Sequence, residues 1–179
     1  MKFSAAAAAF VLLLPALALA QKTSFDYDKT ADFSAFKTYT LKDGTKVGDP
    51  FIDGRITTAI EAELKAKGFT RNDAKPDVVV VYHLTLDKEK DITSYSTGAA
   101  YGPYPYRWGG GWGTTDVRVR EILVGTLVID VADASKESLV FRAIGVKEVD
   151  AQAKAEKRDK NIASAVKKVL KDFPPKKKA

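Results

Sequence analysis

"PDVVVVYHLTLD", Pro76 to Asp87, is the stretch that decides the fold. Four consecutive valines imply burial on both faces, which puts this strand inside a sheet rather than at its edge. After Val81 the pattern alternates, with Tyr82, Leu84 and Leu86 opposite His83 and Thr85. An interior strand needs neighbours on both sides, and the rest of the chain supplies them. "DVRVREILVGTLVIDV" (Asp116–Val131) reads as a second long strand. Its pattern shifts near Glu121 and is interrupted at Gly125, which predicts a bulge or bend there. The turn "ADASKES" leads into "LVFRAIGVKEV" (Leu139–Val149), its hairpin partner. Toward the N-terminus, "TSFDYD" (Thr23–Asp28) and "FKTYTL" (Phe36–Leu41) read as two shorter strands.

Two helices flank the long strands. Asp49-Pro50 opens the first: Asp caps free N–H groups, and Pro suits the first helical position. Ile52, Ile56, Ala59, Ile60 and Leu64 share one face, Glu61/Lys65 and Glu63/Lys67 are i,i+4 pairs on the other, and Gly68 ends the helix. The second helix spans Ala155–Asp172, with Ile162, Ala165, Val166, Val169, Leu170 and Phe173 on one face and Pro174-Pro175 as its stop. A single apolar stripe on each helix predicts an α+β two-layer sandwich: a mostly antiparallel sheet with both helices packed on one face. No internal repeat of 20–50 residues is visible.

The first twenty residues read as an address rather than as part of the fold. A basic start, an apolar run broken at Pro15 and the small-residue site Ala18-Leu19-Ala20 make a secretory signal peptide, with cleavage expected before Gln21. The expected product is an exported, soluble domain over residues 21–173, followed by a basic disordered tail over 174–179. It has no cysteine, so core and hydrogen bonds alone must hold it, and acylation at a cysteine is excluded. The net charge of +6 is uneven: residues 151–179 hold ten Lys/Arg against three Asp/Glu, whereas residues 21–150 are slightly acidic. Lys167, Lys168, Lys171, Lys176, Lys177 and Lys178 are therefore candidates for contact with an anionic membrane surface or acidic envelope polymer, although a solvated helix face with a Lys tail has the same composition. Export and the lack of any nucleic-acid motif argue against DNA or RNA as a partner.

The succession of "DYDKTADFSAFKTYTL", the capped helix, "GFTRNDAKPDVVVVYHLTL", "VGTLVIDVADASKESLVFRA" and a last helix ending in "DFPP" resembles the bacterial envelope family catalogued as domain of unknown function 4136. The resemblance covers nearly the whole chain after residue 20 and rests on the order of short motifs. It implies a periplasmic or outer-membrane-associated α+β domain and no assigned reaction. Two features depart from the family. Many such proteins resemble lipoproteins, and this chain lacks the cysteine. A Trp-Arg-Gly feature common in the family stands here as Phe141-Arg142-Ala143.

Chemistry is scarce in the sequence. The single histidine, His83, would need metal-ligating or catalytic partners that no spacing predicts; Asp87, four residues on, is roughly 13 Å away along a strand. No G-x-S-x-G elbow or phosphate-binding loop is present. Asp26/Asp28 and Glu148/Asp150 are carboxylate pairs at strand ends, where solvation is the ordinary state. Neither a cofactor nor a metal is implied. A cell-wall hydrolase built on a carboxylate such as Asp87 is the alternative reading.

One segment is left. "YGPYPYRWGGGWG" (Tyr101–Gly113) packs five aromatics, five glycines and two prolines into thirteen residues and includes both tryptophans of the chain. It sits in a connection expected over Lys88–Thr114, longer than loops usually run unless they have a function or are disordered. Tyr101, Tyr104, Tyr106, Arg107, Trp108 and Trp112 are the candidate ligand-binding residues. Tyr and Trp join an apolar ring to a polar tip, and Arg107 adds a cation. The same composition also fits aromatics folded back over the sheet, or a tolerated insert. The expected role is a non-catalytic envelope module that binds an unidentified envelope protein or glycan.

Overall fold

The computed structural model describes residues 21–96 and 115–176. Its elements in chain order are β1 (Lys22–Tyr27), β2 (Thr38–Asp43), α1 (Pro50–Ala66), β3 (Thr70–Arg71), β4 (Val78–Ser96), β5 (Thr115–Asp133), β6 (Ser138–Val149) and α2 (Ala155–Val169). Among the described residues the strands form one six-stranded sheet in the order β1-β6-β5-β4-β2-β3. β4 is an interior strand, as its valines predict. The run is not buried on both faces, however. Val78 and Val80 are fully buried, whereas Val79 and Val81 are half-buried, because helices cover only one side.

The sheet is mixed, which corrects the mostly antiparallel sheet expected from the sequence. β1, β6, β5 and β4 pair antiparallel, but β2 runs parallel to both β4 and β3. The cause is connectivity. β2 and β4 are separated by α1, and a helical crossover returns the chain in the same direction, which a tight hairpin cannot do. Asp77 fixes the register. Its Oδ2 accepts hydrogen bonds from the backbone N–H of Lys37 (2.9 Å) and Thr38 (2.8 Å) and from Thr38 Oγ1 (2.8 Å). The start of β2 is thereby tied to the start of β4.

The helix-facing side of the sheet is built in cross-strand rows: Leu41, Val80, Val131 and Phe141; then Tyr82, Ile129 and Ala143; then Leu84, Leu127 and Gly145. Against these rows pack Ile56, Ile60 and Leu64 of α1, and Val166, Val169 and Leu170 at the end of α2. Each fully buried aliphatic side chain contributes about 1.5–3 kcal/mol of transfer free energy. The β6 residues shrink from Phe141 to Ala143 to Gly145, and the last opens room for α2. A Cβ at Gly145 would lie 2.5 Å from Val169 Cγ2. Below this layer Phe173 is buried against Phe141, Phe69 and Phe33, with ring centroids 5.1, 5.3 and 6.3 Å away.

The helix boundaries follow local chemistry. Asp49 Oδ1 accepts from the N–H groups of Phe51 and Ile52, Pro50 takes the first turn, and Gly68 follows the C-cap at φ +87°. α2 has no side-chain cap at Lys154 and ends at Val169, three residues short of the expected Asp172. The bulge expected near Gly125 lies elsewhere. Gly125 pairs regularly with Leu86 and Lys147, and the register shift falls between Val131 and Ala132, beside the β5–β6 turn. Asp133 holds that turn: its Oδ1 accepts from the N–H groups of Ser135 and Lys136 and from Ser135 Oγ. Val149 explains the glycine, since a Cβ at Gly125 would meet Val149 Cγ2 at 2.9 Å.

Candidate functional site

β4 and β5 stay paired for their full length, from Val78↔Asp133 to Ser96↔Thr115, but their neighbours stop early. β2 leaves β4 at Tyr82, and β6 leaves β5 at Leu123, which faces Lys88. Beyond that row, Glu89–Ser96 and Thr115–Ile122 form a ribbon with no third strand among the described residues. At about 3.3 Å per residue it extends the sheet by about 25 Å. The stretch Lys88–Ser96, expected as loop, is therefore strand. Charge replaces burial in its first turns of pairing: Lys90 faces Glu121, Asp91 faces Arg120, and Arg120 Nη2 also donates to Glu148 Oε1 at 2.5 Å. Opposite charges across strands favour pairing, and charged edges discourage addition of further strands.

Residues 97–114 join the two ends of this ribbon. The candidate binding residues Tyr101, Tyr104, Tyr106, Arg107, Trp108 and Trp112 lie in that segment, outside the described residues. Lys177 and Lys178 also lie outside them. Lys167 and Lys168 are exposed in the last turn of α2, Lys171 is exposed just after it, and Lys176 is exposed after Pro175. No helix of the described residues is long and apolar enough to cross a membrane.

The helix-free face of the sheet brings together groups that are far apart in sequence. Arg142 Nε and Nη2 donate to Asp130 Oδ1 and Oδ2, both at 2.6 Å, in a bidentate pair. Asp130 draws the Arg142 guanidinium above its usual value through these hydrogen bonds and its charge. His83 Nε2 lies 3.9 Å from Asp130 Oδ2. The Thr45 N–H donates to His83 Nδ1 at 3.0 Å, which leaves the proton of a neutral ring on Nε2, facing Asp130. This histidine–aspartate–arginine row was not foreseen. Residues 83, 130 and 142 have no sequence spacing that announces it; only the register does. Arg142 is the middle residue of Phe141-Arg142-Ala143. Phe141 and Ala143 face the core, so the arginine between them faces out.

The strand-end carboxylates Asp28 and Asp150 are taken up by local hydrogen bonds. Asp28 accepts from Thr30 Oγ1 and N–H, and Asp150 from Lys157 Nζ and the Gln152 N–H. Those bonds hold both carboxyls below the usual carboxylate range, the wrong direction for a general acid at neutral pH. Asp87 is exposed, with Thr85 Oγ1 3.4 Å from its Oδ2. Among the described residues no group of three or more His, Asp or Glu is placed to hold a metal. Beneath α1, Asp53 Oδ1 and the Tyr82 hydroxyl are buried without a hydrogen-bond partner among the described residues, and burial, then the Asp53 charge, pushes the phenol up.

The chain belongs to the family described as Domain of unknown function (DUF4136), whose profile matches residues 23–175. No curated protein matches it significantly in sequence. Among solved structures it is similar to a PDZ domain protein from Parabacteroides distasonis ATCC 8503, with 18% identity and a TM-score of 0.55 over 88% of this chain and 36% of that one. The chain thus spans little more than a third of that protein. It is also similar to the PelC dodecamer from Paraburkholderia phytofirmans, with 13% identity and a TM-score of 0.50 over 84% of this chain and 96% of that one. At these identities the likeness establishes the fold alone.

Proposed function

We propose that this member of the unknown-function family is an exported, non-catalytic accessory module of a bacterial envelope. It binds another envelope component, protein or glycan, through the aromatic segment at the end of the β4–β5 ribbon. The ribbon carries the reading. Among the described residues β4 and β5 stay paired for eight rows after β2 and β6 have left them, and this ribbon runs directly into residues 97–114. The segment that joins its two strands has Tyr101, Tyr104, Tyr106, Trp108 and Trp112 beside Arg107, side chains that stack on sugar rings or fill protein pockets. Asp28 and Asp150, held below the usual carboxylate range by their hydrogen bonds, are poor general acids, which weighs against the hydrolase alternative at those two positions.

The test replaces residues 97–114 by a two-residue Asn-Gly turn, which suits a ribbon of this kind. Intact and replaced proteins serve as baits on solubilised envelope extract, with matched thermal melts. The expected result is one component retained by the intact protein and lost by the variant, with melting temperatures within about 2 °C. Equal retention by both baits contradicts the proposal.

A further inference from the structure

Away from the ribbon, the β1–β2 connection, the end of α1 and the residues after α2 enclose a cleft of about 590 Å³. That volume falls in the range of small-molecule sites. Its walls are aromatic. Tyr27, Phe33 and Phe36 are half-buried and packed edge to face, with Tyr27–Phe33 and Phe33–Phe36 centroids 6.1 and 5.9 Å apart, and Phe69 lies buried beside them. Phe69 and Phe33 both rest on the core residue Phe173, so this wall is fixed to the body of the protein.

The polar lining of the cleft has one sign. Lys29, Lys37, Lys67 and Lys176 line it, and no acidic residue does. Of the nearby carboxylates, Asp28 accepts from Thr30, Asp32 accepts from Ser34 among its contacts, Asp77 accepts from the Lys37 and Thr38 backbone, and Asp172, two residues before Pro174, is exposed and does not line the cleft. Lys67 has one acidic partner, Glu63, at 3.6 Å. Lys177 and Lys178, next in the chain, repeat the cleft's charge and by that charge are poor occupants. Half-exposed aromatic walls ask for an apolar body, and a cleft lined by four lysines asks for an anion.

We infer that this cleft binds an anionic amphiphile: a small molecule with one acidic head, carboxylate or phosphate, on an apolar body. The lysines hold the head and the Tyr27–Phe33–Phe36 wall holds the body. The site is independent of the ribbon and survives failure of the binding-module proposal.

Two dyes with one ring system test it on the full chain without its first twenty residues: 8-anilinonaphthalene-1-sulfonate, and N-phenyl-1-naphthylamine, which lacks the sulfonate. One sulfonate-dye site per chain is expected, at least tenfold tighter than for the neutral dye and weakened by salt. Lys29→Ser with Lys37→Ser removes two exposed side chains and should weaken the anionic dye about tenfold while sparing the neutral one. Phe36→Ser should weaken both. Dodecyl phosphate should displace the anionic dye and dodecyltrimethylammonium should not. Displacement by phosphatidic acid vesicles as well would make a bilayer the source of the head; displacement by the soluble amphiphile alone would make it a free molecule. Equal affinity for the two dyes, or an unchanged anionic dye in a folded double-lysine variant, overturns the inference.

Discussion

Asp77 carries the parallel half of the sheet on one oxygen atom. The N–H of Lys37, then the N–H and hydroxyl of Thr38, hold its carboxyl below the usual carboxylate range. A carboxyl whose pKa is lower in the folded state stabilises the fold above its unfolded value of about 3.9. The contribution is lost as the pH falls from there through the folded value. Urea unfolding at stepped pH should therefore show stability dropping below about pH 4. Asp77→Asn keeps an acceptor oxygen but cannot titrate, so its drop should be shallower. Asp77→Ala leaves two backbone N–H groups without their partner and should cost about 2 kcal/mol at neutral pH. A cost below about 0.5 kcal/mol would show that the β2–β4 pairing does not depend on it. None of this is legible in the sequence, where Asp77 reads only as the second residue of the strand Pro76–Asp87. The same holds for the His83–Asp130–Arg142 row, which exists because three strands place three distant positions side by side.

At the scale of elements, periodicity served well where one face alone is buried. Both helices, the cap at Asp49 and the β5–β6 hairpin lie where spacing and turn residues put them. It failed where neighbours decide. The valine run looks buried on both faces because valine suits a half-covered surface as well as a covered one. Gly125 looks like a bulge because a glycine cleared for a facing side chain carries the same letter as one cleared for a bend. β3, two residues long, gives no periodic signal at all. Gly145 is the clearest case of an element set by one missing atom. Gly145→Ala places a methyl 2.5 Å from Val169 Cγ2 and 2.7 Å from Gln21 Nε2. It should destabilise by about 1–3 kcal/mol through displacement of α2. Faster amide exchange confined to α2 would mark that displacement. Unchanged stability and exchange would mean that α2 has slack against β6.

For the whole molecule, the division of labour runs along the sheet. One end is a two-layer body whose aromatic floor sets Phe33 of the β1–β2 connection, Phe69 after α1 and Phe141 of β6 around Phe173. The other end, among the described residues, is a two-stranded ribbon leading to a segment rich in tyrosine and tryptophan. The sequence marked that segment by composition but set the boundaries of its connection too wide. The charged residues Lys88–Asp91 read as loop because their strand has no buried face to impose alternation. Both tryptophans of the protein, Trp108 and Trp112, fall within residues 97–114, so a tryptophan label reports on that segment and on nothing else. The direct measurement is ¹⁹F NMR of protein labelled with 5-fluorotryptophan, recorded alone and then with solubilised envelope extract, with cytoplasmic extract as reference. The account predicts that the tryptophan resonances shift or broaden saturably with envelope extract and stay in place with cytoplasmic extract. Resonances that ignore the envelope extract would contradict a recognition role for the ribbon's end.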